Sequence, residues 1–181
     1  MRRTFTGSTW FRLLVVTIFA VAMAYMESAV VVYLGVIFPR SVDLATLAAK
    51  RYDVWFSVPF FTLLKPGALA SVLPQSKLAS VEVAREAATI VMLVCAGWLA
   101  GHDFKTRAAF FIYAFGVWDI GYYVFLYAVL GWPTSFGSLD VLFLIPGPWV
   151  APVFVPVAIS TAMIIGAVFS LRQDAASSRQ G

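Results

Sequence analysis

The sequence predicts an all-α fold, a polytopic membrane helix bundle of about four transmembrane helices. One re-entrant or interfacial segment and a proline-broken last helix complete it. Three observations carry this expectation. Of 181 residues, 61% are hydrophobic and only 12% are charged, against about 25% charged in a soluble domain. Four apolar segments, about 11–38, 80–101, 107–131 and 149–170, reach the ~20 residues that cross a hydrocarbon core. Seven Tyr and six Trp accompany sixteen Phe, and Trp and Tyr anchor helices at the headgroup level. With a mean hydropathy of +0.88, the chain has too little polar surface to cover a water-soluble globule, so lipid must solvate much of it.

Each element follows in order. The first segment opens like a secretory signal, with Arg2, Arg3 and Arg12 before an apolar core and small residues Ala20, Ala22 and Ala24. Its apolar run continues to Phe38, far past a signal core of about 7–15 residues, so an uncleaved span is expected. A long connection follows. It holds an amphipathic piece, Ser41 to Arg51, and an aromatic run from Trp55 to Phe61. Pro59, Lys65, Pro66 and Gly67 interrupt that run. Residues 52–73 therefore read as interfacial or re-entrant rather than as a fifth span. After the second and third spans, Pro148, Pro152 and Pro156 fall on one helix face. Each lacks an N–H and crowds the preceding turn. A short helical piece at 138–145, a break at Pro146-Gly147 and a new helix from Pro148 would accommodate them. Residues 1–172 read as one integral membrane domain, and 173–181 as a polar tail.

Charge sets the topology. Arg2, Arg3, Arg12, Lys105, Arg107, Arg172 and Arg179 share one side of a four-span arrangement, and the short Trp132–Asp140 loop opposite has no Lys or Arg. By the positive-inside rule both termini are cytoplasmic, in a membrane of the bacterial cytoplasmic type. Arg40, Lys50, Arg51, Lys65 and Lys77 fall outside, in a long connection where the rule binds less strictly. No basic stripe with stacking aromatics in water is present, so nucleic acid is not an expected partner. Cys95 is the single cysteine, which excludes an internal disulfide and a multi-thiolate metal site.

The chemistry-bearing residues are carboxylates within the spans. Glu27 and Asp119 interrupt apolar runs, and Glu86 lies in the second span. A charge at such depth costs roughly 2.5–3.5 kcal/mol on insertion scales, so these groups turn inward and pair. At 1.5 Å per residue, Glu27, Asp119 and Glu86 lie about 15, 18 and 9 Å below the outer ends of their helices. All fall in the outer half, where the first three helices can bring them together. Arg85 is the only cation near that level and the natural counter-ion. Tyr122 and Tyr123 share a helix face with Asp119, as a hydrogen-bond cage or a proton relay. Ala20, Ala24, Glu27 and Ser28 form a small-residue face on which another helix can pack. Glu82 and Glu86 can alternatively serve as helix-start acids, and Asp140 as the cap of a short helix.

Three function classes remain open. Glu27, Glu86, Asp119, Arg85, Tyr122 and Tyr123 could perform acid–base chemistry on a lipid-soluble small molecule, or bind protons or a cation. They could instead be a polar clamp in a structural or accessory subunit of a larger complex. A small transporter gated at Pro146–Pro148 is a third possibility, and would have to oligomerise. Expected partners are membrane lipids and further copies or other subunits. His102 reads as a solvated loop residue, no metal site stands out, and the sequence names no cofactor. Catalytic triads, phosphate-binding glycine loops and dinucleotide fingerprints are absent.

Overall fold

The structure, a computed structural model, describes residues 9–37, 54–72 and 76–177. Among them are four long helices: α1 (Thr9–Ile37), α3 (Ser76–Ala100), α4 (Phe104–Leu130) and α5 (Phe154–Ser177). All four are long and apolar enough to cross a membrane. Their outward faces carry large apolar side chains, including Ile18, Met26, Val91, Leu99, Tyr127, Ile165 and Phe169. Such exposed apolar surface is compatible with a membrane protein. The amphipathic stretch 41–51 lies outside the described residues. So do 178–181, while α5 runs on into the polar segment as far as Ser177.

Helix α4 is the axis of the bundle and packs against α1, α3 and α5. It is buried on several faces, through Thr106, Ala109, Phe110, Ala114, Gly116, Trp118, Asp119, Tyr123 and Leu126. On α1 the buried positions Leu13, Val16, Ala20, Ala24 and Ser28 repeat every three or four residues, the stripe of a helix packed on one side. Its small members let α4 approach closely, as the face of small residues anticipates. Against α5 the approach is closer still. A Cβ on Gly116 would sit 2.7 Å from the Ser160 carbonyl oxygen.

One end of the bundle is basic. Arg12 Nη1 donates to the carbonyl of Ala100 at the end of α3, at 2.8 Å, where a cation complements the helix dipole. Arg107 lies over the Trp98 ring at 4.0 Å, and Arg172 over Trp10 at 5.2 Å. These contacts bring the start of α1, the α3–α4 turn and the end of α5 together. Asp103 caps α4 in a reciprocal box with Thr106, and the Thr106 N–H holds the Asp103 carboxyl below its usual range.

The opposite end corrects the all-α expectation. It carries a four-stranded antiparallel sheet in the order β1-β2-β4-β3. The strands are β1 (Val54–Val58), β2 (Phe61–Leu64), β3 (Leu139–Val141) and β4 (Trp149–Pro152). The aromatic run that reads as re-entrant is thus the hairpin β1–β2, followed by a 3₁₀ turn (Pro66–Ala68) and the one-turn helix α2 (Leu69–Val72). The proline-rich segment is likewise a hairpin rather than a broken helix, and α5 begins only at Phe154. Pro148 falls in the hairpin loop and Pro152 ends β4, opposite Leu139, so neither proline lies inside a helix. Only Pro156 does, in the first turn, where the missing N–H has no helical partner to lose. The loop carbonyl of Phe136 accepts the Phe154 N–H at 2.9 Å, which caps the start of α5.

Register assigns the faces of the sheet, because directly opposed residues share a face. The pairs Asp140–Ala151, Trp149–Leu63, Leu63–Phe56 and Phe61–Val58 place these side chains on one face. That face meets the bundle: Trp149 packs on Phe143, and Phe143 on Phe115 and Trp118 of α4. The other face holds a small core of Leu64 and Val150 with Ala68, the last residue of the 3₁₀ turn. Leu64 N–H donates to the Pro148 carbonyl at 2.9 Å, which ties the two hairpins together. Gly147 is required at that joint, since a Cβ there would lie 2.3 Å from the Leu64 oxygen.

Candidate polar site between the spans and the sheet

Glu27 of α1 and Arg85 of α3 form the ion pair that depth and charge anticipate. Arg85 Nη1 donates to Glu27 Oε1. The same guanidinium donates from Nε and Nη2 to Glu82 Oε2, at 2.9 and 2.7 Å. Thr89, one helical turn further along α3, donates to Glu27 Oε2 at 3.3 Å. Glu82 is therefore more than a helix-start acid. It is buried and holds the near side of Arg85, while Glu27 takes the far side. Side-chain exposures of 24% for Arg85, 14% for Glu27 and 7% for Glu82 leave the group largely shielded, which is where pairing matters most.

Glu86, next along α3, has a different partner. Both of its carboxylate oxygens accept the backbone N–H of Leu144, at 2.9 and 3.0 Å. Leu144 sits in the β3–β4 loop, beyond the point where Leu142 N–H meets the Trp149 carbonyl at 2.7 Å. The hairpin thus reaches α3 and is held there by a carboxylate.

Asp119 does not join this group. It is buried, and its Oδ2 accepts from the Ser160 hydroxyl of α5 at 2.8 Å. Tyr123, expected on the same face as Asp119, turns its hydroxyl elsewhere. The Tyr123 hydroxyl donates instead to Asp140 Oδ2 of β3, at 3.1 Å, and Tyr122 packs edge-on against Tyr123 at 5.0 Å. Helical spacing places Asp119 and Tyr123 on one side of α4, but neighbouring elements on that side supply a closer partner to each. Asp140, expected to cap a short helix, is a strand residue with 1% exposure.

A single pattern covers Glu27, Glu86, Asp140 and Asp119. Glu27–Arg85 links α1 to α3, and Glu86–Leu144 links α3 to the β3–β4 hairpin. Asp140–Tyr123 links that hairpin to α4, and Asp119–Ser160 links α4 to α5. Each of these four carboxylates joins two different elements, and together the links run through all four spans, while Glu82 stays within α3 on Arg85. Sequence reasoning finds Glu27, Arg85, Glu86, Asp119 and Tyr123, but misses Ser160 and the Leu144 amide. A serine on an apolar helix has no signature before its partner helix is known, and a backbone amide has none at all.

A second polar group lies at the basic end. His102 Nε2 is 3.7 Å from both Asp103 Oδ2 and Asp174 Oδ2, and these three side chains have the spacing of a metal-ligand set. His102 and Asp103 are half exposed, as a solvated loop implies, and Asp103 is already engaged as a helix cap.

No protein-family model matches the chain, and neither a curated protein nor a solved structure matches it.

Proposed function

We propose that the protein is a structural or accessory membrane subunit, a four-span scaffold that holds a small β-sheet rigidly at the outer face of the membrane. One observation carries this reading: Glu27, Glu86 and Asp119 are each engaged in a link between two separate elements. Oxygens committed in this way are poorly placed to receive a substrate proton or a ligand. Polar links also suit a bundle in lipid, where apolar contact between helices has no hydrophobic driving force and hydrogen bonds must help to select the arrangement. The basic end, with both termini, faces the cytoplasm on this reading, and membrane lipids together with a hetero-oligomeric complex or further copies are its partners.

A second reading has one observation in its favour. Glu27, Glu82 and Glu86 surround a single guanidinium, so the cluster carries more acid than base. A bound proton or cation would balance it, and a proton exchangeable there could serve acid–base chemistry on a lipid-soluble molecule.

Glu27→Gln and Asp119→Asn separate the two. The scaffold reading expects both variants to give less folded protein in detergent, and to support the growth or flux of the host only in proportion to that yield. Normal yield with lost flux would favour the second reading and sink the first.

A further inference from the structure

We infer that β1 is a membrane-inserting edge, seated in the outer lipid leaflet beside the bundle. Strand β1 is exposed along nearly its whole length: Trp55 is 53% exposed, Phe56 55% and Val58 44%. An edge strand facing water normally carries charge, Pro or a covering element. This one reads Val-Trp-Phe-Ser-Val, with no charged side chain, and turns into β2 through Pro59 and the 64% exposed Phe60.

Two observations identify lipid as what covers it. The first is direction. Phe56 and Val58 share a sheet face with Phe61, Leu63, Trp149 and Asp140. Further across the sheet that face meets α4, through Asp140 on Tyr123 and through Trp149 and Phe143 on Trp118. At β1 the same face carries Phe56 and Val58, both exposed, so among the described residues this end of the face is not covered as its other end is. The second is level. The Phe60 ring packs edge-on against Phe154 at 5.3 Å, and Phe154 is the first residue of the last span. Phe136, 69% exposed, is tied to that residue through its carbonyl. The Phe60 ring and the Phe136 backbone thus both meet the residue at which the last span begins. Trp and Tyr are the residues enriched at that level, and the strand presents Trp55.

Phe60 supports the same reading. Its φ of 69° is a left-handed conformation that L side chains other than Asn and Asp rarely adopt. A glycine would take it freely, but would give up the ring on Phe154 and the apolar tip of the turn.

Alternation along the strand supplies the test. Phe56→Cys and Ser57→Cys, each combined with Cys95→Ser, are labelled with an environment-sensitive fluorophore and placed in phosphatidylcholine nanodiscs. Ser57 is the control, because its hydroxyl meets Thr62 on the opposite face, at 3.1 Å. At position 56 the expected emission is blue-shifted, is lost when the lipid carries a doxyl quencher on its acyl chain, and is insensitive to aqueous iodide. Position 57 should show the reverse. Iodide quenching at both positions overturns the assignment. So does protection of position 56 from both quenchers, which would indicate a second copy of the chain or another protein on the strand. The result is independent of whether the polar links are structural or functional.

Discussion

Replacing Arg85 with methionine is expected to cost about 3 kcal/mol of stability. Its removal strands Glu27 and Glu82 together, largely buried and without a cation. Breaking a buried pair on one side costs roughly 3–5 kcal/mol, because the surviving charge keeps its desolvation penalty and loses its partner. The 24% exposure of Arg85 places the loss at the lower end of that range. Neutralising the whole group should be much milder. In the triple variant Arg85→Met, Glu27→Gln, Glu82→Gln no charge is left unpaired, and most of the stability should return. Thermal unfolding in one detergent measures both. A single variant as stable as the parent protein, or a triple variant no better than the single, would show that this cluster does not hold α1 to α3.

The second large effect is expected at Glu86. Glu86→Ala leaves the Leu144 N–H without its acceptor, inside a loop packed against α3. An uncompensated buried donor costs about 1–3 kcal/mol; this one is part-buried, which places the loss at the lower end, and the penalty falls on one element. Hydrogen exchange should quicken in residues 142–148, while the middle of α4 keeps its protection. Trp149 and Trp118, both in contact with Phe143, should report the released hairpin as a change in fluorescence. Glu86→Gln keeps an acceptor oxygen and should be intermediate. If exchange in 142–148 stays unchanged in Glu86→Ala, the carboxylate is not what secures the hairpin.

The spans were legible because hydropathy over twenty residues depends on composition alone, and burial by lipid demands it. The Glu27–Arg85 pair was legible for a related reason: two charges of opposite sign at one depth have nowhere else to go. The sheet was not legible. Trp55 to Phe61 and Asp140 to Pro152 are short, apolar and rich in proline, and a short apolar run does not distinguish strand from buried helix. The spacing of Pro148, Pro152 and Pro156 suggested one helix face, yet only Pro156 lies in a helix. Non-local pairing decided both segments. β2 pairs with β4 across residues 62–63 and 149–150, and nothing local to either stretch encodes that partnership. Tyr123 misled in the same way. Asp119 and Tyr123 are close in helical spacing, but each is claimed by a different neighbour of α4, Ser160 of α5 and Asp140 of β3.

The scaffold account stands or falls on whether the intramembrane carboxylates stabilise contacts between elements. The Asp119–Ser160 link is the cleanest place to ask, because it is buried, joins two spans and involves one hydrogen bond. A double-mutant cycle with Asp119→Ala, Ser160→Ala and the pair together, read by unfolding in detergent, isolates that interaction. A coupling of about 0.5–3 kcal/mol, the range for residues in contact, is the expected result. Effects that add to within about 0.5 kcal/mol, with the single Asp119 variant no less stable than the parent, would contradict the account and leave Asp119 as a group kept for chemistry rather than for the fold.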